Sequence, residues 1–235
     1  MKQPRPESNE RISEMAKPLI STKPVSAFEM NAARFAITSG ALFVLLLVSL
    51  HVLEPEFDPT WRFISEYMLG DFGWLMTLAF LALAVSLAST GAVIFSQIRT
   101  IPGYIGLVVL ALAVVGILIA AAYKTDPIFT KIDELTPSGK MHVLGASLDY
   151  SPLAFLLFSF SLARTQAWNP IRKRLFVTAI VTIILTIAFV FTLPQDGVFG
   201  PGVLAGLMGR FLLVSYLGWI AVVSLHALKL YKQEK

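Results

Sequence analysis

Six long runs of apolar residues constrain this chain more than any other feature. They lie near 32–53, 74–96, 102–123, 141–163, 173–193 and 203–230. At a helical rise of about 1.5 Å per residue, each run can cross about 30 Å of hydrocarbon. A bilayer offers no water to unpaired backbone groups, so such runs must fold as helices. The sequence therefore predicts an all-α polytopic membrane protein, a bundle of six transmembrane helices.

The composition agrees with a chain dissolved in lipid. Of 235 residues, 56% are hydrophobic and only 14% are charged, and the mean hydropathy is +0.72. A soluble domain has about a quarter of its residues charged. The chain has no cysteine, which excludes disulfides, thiolate metal sites, iron–sulfur clusters and thiol nucleophiles. Any other cofactor stays open at this point.

The first 30 residues differ from the rest of the chain. They are polar, contain proline and serine, and carry charges of both signs. This pattern predicts a solvated and partly disordered tail at residues 1–30, followed by the transmembrane domain at 31–235. The tail is not expected to be a cleavable signal, because the first apolar run starts too late.

The distribution of basic residues predicts an orientation. If the N-terminus is cytoplasmic, the inner segments carry 14 basic and 5 acidic residues, and the outer segments carry 5 basic and 10 acidic residues. Lys and Arg accumulate in cytoplasmic loops of membrane proteins. We therefore expect both termini to be cytoplasmic. The net charge of +4 then reflects topology, and the expected partner is the lipid bilayer, not nucleic acid.

Polar residues with chemical potential collect on the expected outer side. The fourth run places His142, two small residues and Asp149 at helical spacing on one face. A carboxylate at that depth needs protein, a cavity or a cation beside it. The last run offers Arg210, on a stripe with Gly202 and Gly206 that would allow a close neighbour. A coupled Asp149–Arg210 pair is expected, either as a structural brace or facing a ligand.

A second cluster is expected around the loop between the third and fourth runs. Pro127 disfavours helical geometry at Asp126, so that carboxylate could turn inward with His142 to meet His51 and Glu66 beneath a lid made by the first outer loop. His51, Asp126 and His142 are weak metal-ligand candidates, because neither H-E-x-x-H nor H-x-E occurs. The alternative is a solvated loop held by surface ion pairs. The candidate residues are His51, Glu66, Asp126, His142, Asp149 and Arg210.

Several strings resemble a known family. A histidine closes the first run, ISEYMLGDFGWLM leads into the second, TDP follows the third and GKMHVLGA opens the fourth. This pattern resembles the bacterial membrane family called domain of unknown function 998, over roughly residues 32–230. In that family the last helix tends to carry an arginine, which would be Arg210 here, although Gly209 stands where an acidic neighbour is expected. The resemblance implies six membrane helices and no established reaction.

Three functions stay open on the sequence alone. The first is a non-enzymatic protein of the bacterial inner membrane that binds a lipid or small molecule, or serves as an accessory subunit of a membrane complex. The second is an intramembrane enzyme that uses a metal or acid/base site in the outer cluster. The third is a small transporter, although clear internal repeats and Gly/Pro-broken helices are not evident in the sequence. The pattern favours a binding protein over an enzyme.

Overall fold

A computed structural model describes residues 19–195 and 197–233. In this part of the chain the fold is all-α, and six helical segments are long and apolar enough to cross a membrane. The α-helices are α1 (Ala27–Leu53), α2 (Gly73–Phe95), α3 (Ile101–Ala122), α4 (Pro137–Ser147), α5 (Ser151–Leu162), α6 (Arg172–Thr192) and α7 (Ala205–Gln233). Short 3₁₀ helices cover Ile64–Leu69, Ile132–Glu134 and Asn169–Ile171.

Local sequence signals set the helix starts. Ser26 caps α1 in a reciprocal capping box with Glu29, so this helix begins several residues earlier than the apolar run predicts. Thr100 caps α3, with Pro102 in its first turn. Thr136 caps α4 in the same way, followed by Pro137. A proline is tolerated in a first turn because its missing N–H would have no helical partner there.

The helices form a ring in chain order. α1 packs on α2, α2 on α3, α3 on both α4 and α5, α5 on α6, α6 on α7, and α7 closes the ring against α1. We call the end with loops 54–72 and 123–136 the acidic end, and the end with loops 96–100 and 163–171 the basic end. The outward-facing side chains are large and apolar, as a lipid solvent requires. α6 is the most peripheral span, with 17% of its apolar window buried.

The fourth span is not one continuous helix, which corrects the expectation of an unbroken span from 141 to 163. α4 ends at Ser147 and α5 begins at Ser151. Pro152 has no backbone N–H to continue the ladder. The Asp149 carboxylate accepts hydrogen bonds from the Ser151 backbone N–H and hydroxyl, at 3.1 and 2.6 Å. The fourth span therefore contains a break that was not evident in the sequence.

Two glycines bring α4 against α3. A Cβ on Gly116 would lie 2.4 Å from the backbone oxygen of Gly145, and a Cβ on Gly145 would lie 2.5 Å from the oxygen of Gly116. Both contacts are shorter than any side chain allows. The two backbones therefore touch at this crossing, as small residues permit between membrane helices.

The basic end is closed by buried polar contacts. Ile20 forms an isolated parallel bridge with Thr165, and the Gln97 amide donates to the Lys23 carbonyl at 3.2 Å. Trp168 is fully buried and donates to Gln97 Oε1 at 3.2 Å. Residues 19–25 therefore lie on this end of the bundle, where the sequence predicted a solvated tail. Residues 26–30 of the predicted tail form the cap and the start of α1, and residues 1–18 lie outside the described residues.

The first loop of the acidic end folds into the bundle. Its 3₁₀ helix Ile64–Leu69 contacts α2 and α7, and Glu66, Tyr67 and Met68 are at most 2% exposed. A buried loop needs partners for its backbone, and these partners form much of the candidate site. Asp196, in the third loop at this end, lies outside the described residues.

Candidate functional site

A cavity occupies the centre of the bundle on the side of the acidic end. Its deeper part, which we call the chamber, has a volume of about 260 Å³ and is lined by residues from five of the six spans and from the first loop. A wider part of about 580 Å³, the vestibule, lies between the first loop, the 125–135 loop and the end of α6. The two parts share five lining residues, Phe63, Ser65, His142, Ala146 and Phe189. Most of the lining is apolar.

His142 lines both parts of the cavity and is 4% exposed. Its Nδ1 lies 2.9 Å from the carbonyl oxygens of Ala120 and of Tyr123 at the end of α3. A carbonyl can only accept, so Nδ1 carries the proton and donates. In the neutral ring Nε2 is then an acceptor, and it has no hydrogen-bond partner among the described residues.

Asp149 lies at the break between α4 and α5 and lines the chamber. One carboxylate oxygen accepts the two bonds from Ser151. The other accepts from the Tyr216 hydroxyl on α7 at 3.2 Å. The break therefore does two things: it ends α4, and it presents a carboxylate to the chamber across from α7.

An aromatic plug, formed by Phe155, Phe158 and Trp219, closes the chamber toward the basic end. Phe155 lies edge-on to Tyr216 and stacks on Trp219, with ring centroids 4.4 Å apart in the stack. Phe158 stacks on the same indole at 5.9 Å. All three rings of the plug are fully buried. Tyr216 lines the chamber and Phe155 packs on it, so the plug backs the inner wall of the chamber.

Glu66 and Asp126 line the vestibule, but both are bound to protein. Glu66 pairs with Arg62 at 2.8 Å and accepts the backbone N–H of Ile128 at 2.9 Å, so it joins the first loop to the second. Asp126 accepts from the Thr136 backbone N–H at 2.7 Å and from its hydroxyl. Asp126 thus holds the residue that caps α4, and so fixes the helix that carries His142.

His51 and Arg210 form a separate arrangement, which we call the clasp. The Arg210 Nε–H donates to His51 Nε2 at 2.8 Å, and His51 Nδ1 donates to the Leu47 carbonyl. The guanidinium also donates to the carbonyl oxygens of Pro59 and Arg62 at 3.0 and 2.8 Å. The clasp joins the end of α1, the first loop and the start of α7.

The clasp corrects the expected pairing of Asp149 with Arg210. The donors of Arg210 are used by His51 and by the first loop, and Asp149 is bonded to Ser151 and Tyr216. The expected small-residue stripe also differs. Gly202 precedes α7, whereas Gly206 packs on the loop backbone, where a Cβ would lie 2.5 Å from the Arg62 oxygen.

The metal hypothesis for His51, Asp126 and His142 is not supported by this geometry. Within residues 19–195 and 197–233, no group of three or more His, Asp or Glu side chains could hold a metal ion. Both ring nitrogens of His51 are engaged in the clasp, and His142 lies in the cavity. The six candidates therefore divide into a cavity group, consisting of Glu66, Asp126, His142 and Asp149, and a clasp of His51 and Arg210.

Two buried groups of the first loop were not predicted from the sequence. Tyr67 accepts from Arg210 at 3.3 Å and packs on the His51 ring, and burial raises the pKa of its phenol. Glu54, 2% exposed, accepts the Phe72 backbone N–H. Burial raises the Glu54 pKa, as does the neighbouring Glu56. Gly70 is the residue in the sequence that points to this close contact, because a side chain at that position would collide with the Glu54 carboxylate.

The comparisons with known proteins agree with the resemblance seen in the sequence. A family model described as "Protein of unknown function (DUF998)" matches residues 37–226, which include all six spans in whole or in part. The chain belongs to this family. No curated protein and no solved structure matches the chain.

Proposed function

We propose that this DUF998 protein binds an amphipathic small molecule or lipid in its central cavity and has no catalytic activity. The observation that carries the proposal is the apolar cavity with an unpartnered imidazole nitrogen in its wall. Ligand sites in proteins are typically concave and mostly apolar, with a few polar groups that orient the ligand. The cavity matches that description.

The packing of α4 supports entry from the bilayer. α3 is the main packing partner of α4, and the cavity lies between α4 and α6, where Val143 and Phe189 line the vestibule. Val143 is half exposed. An amphiphile can therefore place its polar group beside His142 and Asp149 and leave its apolar part between the two helices.

The proposal is tested by filling the cavity. We expect Ala146→Phe, which puts a ring into both parts of the cavity, to remove small molecules that copurify with the wild-type protein. The measurement is mass spectrometry of organic extracts from protein purified in mild detergent. Val108→Phe is the matched control, because Val108 is 62% exposed on the outside of α3. Identical extracts from both variants would contradict the proposal.

An acid/base enzyme is the second candidate, and the orientation of His142 is the observation that favours it. Its Nδ1–H is held by two carbonyls, which leaves Nε2 as an acceptor toward the cavity, as in a general base. Turnover of the copurified molecule by the wild type, lost in His142→Gln and kept in His226→Gln, would favour this reading. The product is detected in the same extracts.

A transporter is supported by the broken fourth span, because interrupted helices carry the binding sites of many transporters. The aromatic plug argues against it, since the cavity has no path toward the basic end through these buried rings. Binding without transport is therefore the better interpretation of the cavity.

We also propose a location and an orientation. The basic excess favours cytoplasmic termini, and family membership makes the bacterial inner membrane the expected site. The acidic end, with the cavity beneath its loops, then faces outward. An accessory role in a larger membrane complex remains part of the proposal, with other membrane subunits as partners that would meet the exposed apolar helix faces.

A further inference from the structure

The charged side chains around the cavity share one sign. Glu66, Asp126 and Asp149 line it, together with His142. No Lys or Arg of the described residues lines either part. Glu66 is paired with Arg62, and Asp126 is bonded to Thr136. Asp149 differs from both, because it lies deepest.

Among the residues that the structure describes, Asp149 has no basic partner. The one salt bridge found within residues 19–195 and 197–233 is Arg62–Glu66. The nearest basic residue along α7, Arg210, is used in the clasp. The donors of Ser151 and Tyr216 that bind Asp149 are uncharged, so they do not balance its charge. An acidic group inside a membrane is normally paired with a cation or faces a polar cavity.

His142 points to the same ligand chemistry independently. It is more than nine-tenths buried, and its Nε2 can only accept a hydrogen bond while Nδ1 donates to Ala120 and Tyr123. A carboxylate has no proton to donate there, and any anionic head group would meet the negative charge of Asp149 in the same chamber. An ammonium can donate to either of these groups, and it brings a positive charge to a cavity whose charged lining is acidic.

We infer that the cavity selects amphiphiles with a hydrogen-bond-donating cationic head group, an alkylammonium, over those with an anionic head group. This inference rests on the proposed function. The head group lies in the chamber between His142 and Asp149, and the alkyl chain lies between α4 and α6. The acidic lining of the vestibule repels anions on the same route.

The test compares three probes with one chain length and different head groups: radiolabelled dodecylamine, dodecanol and dodecanoate. The full chain is placed in nanodiscs of phosphatidylcholine near neutral pH, and empty nanodiscs report simple partitioning. We expect saturable binding of dodecylamine to the wild type, weakened at least about tenfold by Asp149→Asn. Asp133→Asn is the matched control, because it removes an equal charge from an exposed loop position.

The outcomes separate this inference from the proposed function. Saturable binding of dodecanol or dodecanoate that equals or exceeds that of dodecylamine would overturn the charge selection and keep the binding cavity. Equal dodecylamine affinity in wild type and Asp149→Asn would also overturn it. If none of the three probes saturates, both proposals fail. If Asp149→Asn keeps the thermal stability of the wild type, its loss of dodecylamine affinity is a local effect at the cavity. Tyr216→Phe removes one donor to Asp149 and should keep the preference for the amine.

Discussion

At the scale of single residues, a small number of buried or partly buried polar side chains hold the acidic end together. Each does so by satisfying backbone groups of a neighbouring loop. Arg210 binds two loop carbonyls, Glu66 binds the N–H of Ile128, and Asp126 binds the N–H of Thr136. Unpaired backbone groups are costly away from water, so these side chains stabilise the loops that roof the cavity.

The clasp makes a prediction about energetic coupling. Removing His51 leaves a donor of Arg210 unpaired, and removing Arg210 leaves His51 Nε2 unpaired, so the two substitutions should not add. We expect a coupling energy of at least about 0.5 kcal/mol between His51→Phe and Arg210→Gln, measured by denaturation in detergent. Asp149→Asn with Arg210→Gln is the control and should be additive. A larger coupling energy between Asp149→Asn and Arg210→Gln than between His51→Phe and Arg210→Gln would contradict the clasp.

Glu54 makes a prediction about pH. Its pKa is raised in the fold by burial and by Glu56. Below its ordinary pKa the Glu54 carboxyl is protonated in the folded and unfolded chains and costs no stability. As pH rises through the raised pKa, the folded protein must hold the disfavoured carboxylate, and stability falls. Glu54→Gln keeps an acceptor for the Phe72 N–H. We expect the variant to melt about 2 °C or more above the wild type at neutral pH, with the gain shrinking toward pH 4 or so. If the difference in melting temperature between Glu54→Gln and the wild type increased on acidification, the prediction would be wrong.

At the scale of elements, the α3–α4 crossing positions His142, because both His142 acceptors are carbonyls at the end of α3. The crossing depends on two glycines in backbone contact. The break after Ser147 then turns the chain so that α5 packs between α3 and α6. One span therefore supplies both an imidazole and a carboxylate to the cavity.

Gly116 tests that crossing. We expect Gly116→Ala to lower the free energy of unfolding by about 1–3 kcal/mol, because the new methyl would lie 2.4 Å from the Gly145 oxygen and the helices must separate. Gly218→Ala is the matched control, since a Cβ there meets no atom within 4 Å. It should be neutral or slightly stabilising, as alanine is the better helix former. Equal losses in the two variants would show that the crossing is not tight.

At the scale of the whole molecule, the bundle has two unlike ends. The basic end is sealed by Trp168, by residues 19–25 and by the aromatic plug beyond them. The acidic end is roofed by loops over a cavity. A central cavity that opens toward the acidic end fits the proposed binding of a molecule from the adjacent leaflet.

The orientation is tested by labelling single cysteines in intact cells, since the chain has none of its own. Glu134→Cys and Gln166→Cys lie at exposed positions of opposite ends. We expect an impermeant thiol reagent to label Glu134→Cys, and to label Gln166→Cys only after the membrane is opened. Thr165 is unsuitable, because it is fully buried. The opposite pattern in intact cells would invert the topology.

The six spans and their bounds were predictable to within a few residues, apart from the earlier start of α1 and the break at Asp149. A long apolar run can only be satisfied as a helix in lipid, so this inference needs no tertiary information. The family was also readable from local strings. The break was not foreseen, because periodicity alone continues through Asp149 and the competing bond to Ser151 is not visible in a pattern.

The partners of the polar residues depended on the tertiary structure. Asp149 and Arg210 both need partners inside a membrane. Their spacing along the two helices suggested that they pair with each other. In the fold, the first loop enters the bundle and takes the guanidinium, and α7 offers Tyr216 to Asp149. The pairing of donors with acceptors depends on how the ring of helices closes and on where a loop folds in. Both are properties of packing between distant segments. The burial of an apolar run in lipid, in contrast, is a property of the run itself.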